Sequence, residues 1–150
     1  MQVDALWRDS GGAGDSAQRQ CFLAVEVFEQ RADGHTVFFG ADTLRIAELD
    51  DIARRFPDLD LALLPVNGLR IRPALNRQVV MDAIEAADLA RVLRPRLAVP
   101  MHYAFSSGPL GDRLMTKGDR AGAERFRAAA ADLAPETKVQ ILPTGQALLV

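Results

Sequence analysis

The chain has 150 residues, a formal net charge of −2 and 49% apolar residues. That length suits one domain with a sizeable core, and interspersed acidic and arginine residues exclude the basic stripe of a nucleic-acid surface. No stretch nears the roughly 18 apolar residues that span a membrane. The first twenty residues are too polar for a signal peptide and a single cysteine leaves no internal disulfide, so a cytoplasmic protein with no nucleic-acid or membrane partner is expected.

Residues 1–20 read as an irregular segment, in which an apolar start at 3–7 gives way to the glycine-rich loop Asp9-Ser10-Gly11-Gly12-Ala13-Gly14-Asp15. Residues 21–150 read as one α/β unit. Cys21 opens an apolar strand over 21–28, as a small apolar side chain and not a nucleophile. Asp33-Gly34 supplies the positive φ angles of a tight turn, and 36–40 returns as the antiparallel partner. Helix periodicity over 44–56 puts Ile46, Leu49, Ile52, Ala53 and Phe56 on one face, and Pro57 ends it. Residues 61–66 form a buried strand and 67–78 a loop. Asp82 and Glu85 then make a capping box for a helix running to Leu93. After Pro95 the pattern predicts a strand over 97–101, a long irregular loop over 103–118 and a helix over 119–133. Segments 138–142 and 147–150 are expected to close the chain as a hairpin. The order is β-β-α-β-α-β-α-β-β: one mixed sheet with helices on one face. The opposite apolar face lacks helices, so a second sheet is expected to stack on it.

Three of these strands stop at a polar residue: Asp42, Asn67 and His102. Open α/β sheets collect their ligands outside the carboxyl ends of the strands, so the three could share one rim. Bland readings stand beside this one. Asp42-Thr43 also reads as the N-cap of a helix beginning at Leu44, and His102 as a hydrogen-bonded histidine at a strand end. Asn67-Gly68 reads as a turn. Arg54, Arg70 and Arg72 read as solvated faces, although Arg70 and Arg72 lie in a loop that could reach an anionic substrate.

Val37-Phe38-Phe39-Gly40-Ala41-Asp42-Thr43 resembles the strand ending in Gly-Asp-Thr of metallo-β-lactamase-fold hydrolases, with Ala41 where glycine is usual. Leu63-Leu64-Pro65-Val66-Asn67-Gly68 and Met81-Asp82-Ala83-Ile84-Glu85-Ala86-Ala87 are similar to the next strand and helix of a subgroup related to the ascorbate-6-phosphate lactonases. Val99-Pro100-Met101-His102-Tyr103 looks like that subgroup's strand ending in Pro-x-His-Tyr. The four stand in family order and cover residues 21–150, the carboxy-terminal half of the family's domain.

The resemblance implies half of an αββα sandwich, with Asp42 as a bridging carboxylate and His102 as an imidazole ligand, both catalytic. It implies Asp9, within Trp7-Arg8-Asp9-Ser10-Gly11, as a third metal ligand, and Asn67, Tyr103 and Arg70 as substrate contacts. The expected cofactor is a divalent metal, zinc or alternatively manganese. The expected reaction is hydrolysis of an ester, lactone or phosphate ester of a small molecule by metal-activated water. The family's main ligand signature, His-x-His-x-Asp-His, is absent: the chain's only histidines are His35 and His102. Alone it is therefore expected to bind metal poorly or not at all, and to need a complementary amino-terminal half. The alternative is a non-catalytic remnant whose bare sheet pairs with itself or with another protein.

Overall fold

The computed structural model of the protein describes residues 2–3, 26–30, 34–104, 106, 108–114, 116–143 and 145–148. Its first half contains β1 (Gln2–Val3), β2 (Glu26–Gln30), β3 (His35–Phe39), a 3-10 turn (Ala47–Leu49), α1 (Asp50–Arg55) and β4 (Leu61–Pro65). Next come β5 (Arg70–Ile71), β6 (Arg77–Gln78), α2 (Ala83–Leu93), β7 (Leu97–Met101), α3 (Gly108–Leu114), β8 (Thr116–Lys117), α4 (Gly122–Leu133) and β9 (Lys138–Val139). A mixed sheet runs in the order β1-β2-β3-β4-β7-β9, and a small one in the order β6-β5-β8. β1, β2 and β3 pair antiparallel, whereas β3, β4, β7 and β9 pair parallel. The parallel half follows from the helical crossovers between its strands.

The strand runs and the helix periodicity meet in one core. Register places Phe38 beside Ala62 and Ala62 beside Ala98 on one sheet face. That face packs with Leu49, Ile52, Leu89, Leu93 and Phe126 in a single buried cluster. Ala86, Ala87 and Ala90 of α2 and Ala123 and Ala130 of α4 are also buried, and such small side chains let these packed helices approach closely. α2 begins with the predicted capping box: the Asp82 carboxylate accepts from the Ile84 and Glu85 amides, and Glu85 accepts from the Asp82 amide. Among the described residues no helix is long and apolar enough to cross a membrane.

The opposite sheet face carries Val37, Phe39, Leu61, Leu63, Val99 and Met101. It is not bare as expected: Leu61 and Val99 are buried and the other four partly buried. Large apolar side chains are exposed elsewhere instead, at Leu75, Ile84, Leu110 and Leu133.

Several local expectations are corrected. The helix predicted over 44–56 starts late because Arg45 ties the preceding segment down outside a helix. Its guanidinium donates to Asp88 (3.0 Å) and to the Ile46 carbonyl (2.8 Å) and forms an ion pair with Asp50 (2.6 Å), and Ile46 is extended. The closing hairpin is absent among the described residues; β9 instead pairs parallel with β7 at the sheet edge. The Lys138 and Gln140 amides donate to the carbonyls of Arg96 and Ala98. The loop over 67–78 contains β5 and β6, and that over 103–118 contains α3 and β8; β8 pairs with β5. Such two-residue strands offer too few positions to show a period of two. The segment read as irregular contains β1, while Cys21, the glycine-rich loop and Asp9 lie outside the described residues.

Candidate functional site

Two strand ends build the site. At the end of β3, Gly40 approaches β4 so closely that a Cβ there would lie 2.9 Å from the Leu63 carbonyl oxygen, and its amide donates to that same oxygen at 2.9 Å. Ala41 then takes a left-handed φ of +42° and turns Asp42 out onto the carboxyl edge. At the end of β7, His102 also takes a left-handed φ, +65°. Left-handed backbone costs a non-glycine residue roughly 1–2 kcal/mol, and such strain concentrates at functional positions. The two turns bring Asp42 Oδ1 to 2.9 Å from His102 Nδ1, across sixty residues of sequence.

The bland reading of Asp42 as a helix cap is not what the fold contains. The first helical turn starts at Ala47, its cap position is Ile46, and no side chain caps it. The Asp42 side chain is 72% exposed, open to a ligand from solvent, whereas that of His102 is 34% exposed. His102 Nδ1 is itself buried and makes no hydrogen bond, even with the carboxylate beside it.

That orphaned nitrogen tests the fit of a metal. Zinc sits about 2.0–2.2 Å from nitrogen and carboxylate ligands, so two ligands on one ion lie roughly 3 Å or slightly more apart. Asp42 and His102 fit as a pair of donors. A catalytic site needs about three protein ligands, and among the described residues no three His, Cys, Asp or Glu side chains cluster to hold an ion.

The remaining expected residues take distinct places. Asn67 is 3% exposed. Its Nδ2 donates to the His102 carbonyl (3.1 Å) and its Oδ1 accepts from the Leu69 amide (3.2 Å). The Tyr103 ring packs against the core, and its hydroxyl donates to the Leu142 carbonyl at 2.7 Å. The Arg70 guanidinium lies on the small sheet, bonding Gln78 Oε1 (2.8 Å) and the Asn76 carbonyl (3.4 Å). Asp42 and His102 thus meet directly, Asn67 touches His102 through its backbone, and the polar ends of Tyr103 and Arg70 bond elsewhere.

The sequence reading missed the links behind this pair. The Met81 amide donates to the Thr43 carbonyl (2.7 Å), and the Gly68 amide to the Met81 carbonyl (3.0 Å). The Asp119 amide donates to the Asn67 carbonyl at 2.7 Å, tying the entry to α4 to the same hub. These bonds use main-chain atoms and leave no side-chain pattern. A glycine before each of Asp119 and Leu69 is the faint signal available.

The family model described as the beta-lactamase superfamily domain matches residues 7–103. A UPF0173 metal-dependent hydrolase of Pyrococcus furiosus is 30% identical over 103 residues, covering 69% of this chain and 39% of that protein. Another, from Opitutus terrae, is 40% identical over 83 residues, covering 55% of this chain and 30% of that protein. The chain therefore spans about two fifths, or less, of the length of these curated relatives. Among solved structures, the metallo hydrolase Igni18 of Ignicoccus hospitalis superposes with a TM-score of 0.54 at 27% identity, over 76% of this chain and 40% of that one. The metallo-beta-lactamase fold protein YhfI of Bacillus subtilis shares the fold, with a TM-score of 0.54 at 15% identity over 81% of this chain and 42% of that one.

Proposed function

The chain belongs to the family of the beta-lactamase superfamily domain, and on that premise we propose that it contributes Asp42 and His102 to the divalent-metal centre of a metal-dependent hydrolase. The single observation that carries this is the 2.9 Å approach of Asp42 Oδ1 to a buried His102 Nδ1 that has no hydrogen bond. Relatives named metal-dependent hydrolases support the metal. Zinc is our first assignment and manganese the second, because one carboxylate and one imidazole suit either.

The ion supplies Lewis acidity toward a carbonyl or phosphoryl oxygen and an activated water for its hydrolysis. The chain's own residues do the rest. Asp42 brings its carboxylate to the open rim, and the left-handed turn at His102 brings the imidazole beside it. The substrate class we assign is an ester, lactone or phosphate ester, following the likeness of the four motifs to the lactonase-related subgroup. Asp9 is our candidate for a third ligand. A complementary amino-terminal half supplies what two donors lack, and we place the reaction in the cytoplasm.

Titrating the full chain with zinc, followed by calorimetry, tests the half-site. Weak binding is expected from two donors, one fewer than a catalytic zinc site has; tight stoichiometric binding by the lone chain would refute the need for a second half. One observation favours the alternative, a non-catalytic interaction module: no three donor side chains cluster among the described residues. Multi-angle light scattering decides that reading, since a clean monomer with no partner at micromolar concentration counts against it.

A further inference from the structure

We propose that Asn67 is the positioning residue of this site, holding the left-handed backbone of His102 so that its imidazole faces Asp42. The proposal rests on reading Asp42 and His102 as metal donors, and it concerns what keeps them together.

His102 is the first residue beyond β7, and its φ of +65° has no glycine to make it easy. Its conformation must therefore be held from outside. The carbonyl of His102 accepts from Asn67 Nδ2 at 3.1 Å. The Asn67 amide cannot swing away, because Oδ1 accepts from the Leu69 amide and the residue is 3% exposed. An amide side chain donates through one atom and accepts through the other. Asparagine satisfies both bonds here, whereas aspartate keeps only the acceptor.

A second strand of the argument reaches the carboxylate. The Thr43 carbonyl, one residue past Asp42, accepts from the Met81 amide, and the Met81 carbonyl accepts from Gly68 next to Asn67. A continuous run of hydrogen bonds thus joins the turn bearing Asp42 to the turn bearing His102, with Asn67 at its centre. The Asp119 amide anchors the Asn67 carbonyl from a third direction. This makes Asn67 a brace between the two donors.

The chain has only two histidines, so its imidazole NMR signals resolve His102 against His35, which lies near Asp60 at the other end of β3 and serves as an internal control. The experiment compares the full-length wild type with Asn67→Asp and Asn67→Ser. Without metal, a nuclear Overhauser contact between the His102 ring and the Asp42 β-protons is expected in wild type. It should be lost or averaged in both variants, while the His35 signals stay unchanged and report that the protein is folded. With manganese added, wild type should show line broadening at His102 in preference to His35. Both variants should lose roughly 10-fold or more of that preference, the range typical of residues that orient a metal ligand.

If both variants keep the ring contact and the preference, the positioning role is overturned while the metal reading stands. If wild type broadens His102 no more than His35, the metal reading fails, and the metal-free contact still decides the role of Asn67. A variant that unfolds reveals itself at His35, and the other variant then carries the comparison.

Discussion

Replacing Gly122 by alanine is expected to destabilise the protein, against the sign that helix propensity predicts. Alanine is favoured over glycine inside a helix by about 1 kcal/mol, and Gly122 opens α4. A Cβ at this position, however, would overlap the Val66 carbonyl oxygen, with the carbonyl carbon 3.1 Å and Val66 Cγ2 3.3 Å away. The obstacle is backbone and cannot rotate aside. Val66 is fully buried, and its amide is bound to the Met101 carbonyl at the sheet edge. α4 must therefore retreat, taking Phe126 and Ala130 out of the contact that buries them. Overpacking of this kind costs about 1–3 kcal/mol, so after a propensity gain of about 1 kcal/mol the net loss is up to about 2 kcal/mol. For a chain of this size that lowers the melting temperature by up to roughly 8 °C. Urea unfolding with an unchanged m-value is the assay. Ala128→Gly on the exposed side of the same helix measures propensity alone. A Gly122→Ala protein as stable as wild type, or more so, refutes the close-approach argument.

Two further outcomes follow from the fold. At the edge of the sheet away from the site, Asp60 accepts from the Thr36 amide and pairs with His35 and Arg96. The Thr36 hydrogen bond, aided by those two neighbours, outweighs burial and holds its carboxyl below the ordinary 3.8. A depressed carboxyl contributes stability above its unfolded value and loses it as pH falls through the folded value. The stability difference between wild type and Asp60→Asn should therefore be largest near neutral pH and shrink below about pH 4; urea midpoints that stay equally separated from pH 7 to pH 3 would contradict this. Ala41 has a φ of +42°, so Ala41→Gly relieves roughly 1–2 kcal/mol of strain against about 0.5–1 kcal/mol of added chain entropy. Calorimetric melting should show it equal to wild type or up to about 1.5 kcal/mol more stable, and a clear loss would mean the turn is not strained.

Much of the scaffold was legible where apolar residues run continuously or repeat along a helix. The strands read over 36–40, 61–66 and 97–101 fall on β3, β4 and β7, and the capping box at Asp82 and Glu85 begins α2. These depend on near neighbours in the chain, which a sequence displays. The miss over 44–46 came from Arg45 reaching Asp88 on another helix. The pairings of β9 with β7 and of β8 with β5 join segments far apart in the chain, which no local pattern displays.

The sequence by itself determined which strands end in Asp42, Asn67 and His102, because buried runs must stop where polar residues begin. Tertiary structure alone decided that Asp42 and His102 stand 2.9 Å apart, and that the Asn67 amide bonds the His102 backbone. That difference has a physical cause: the left-handed turns at Ala41 and His102 are held by hydrogen bonds between residues far apart in the chain, where no local preference favours them.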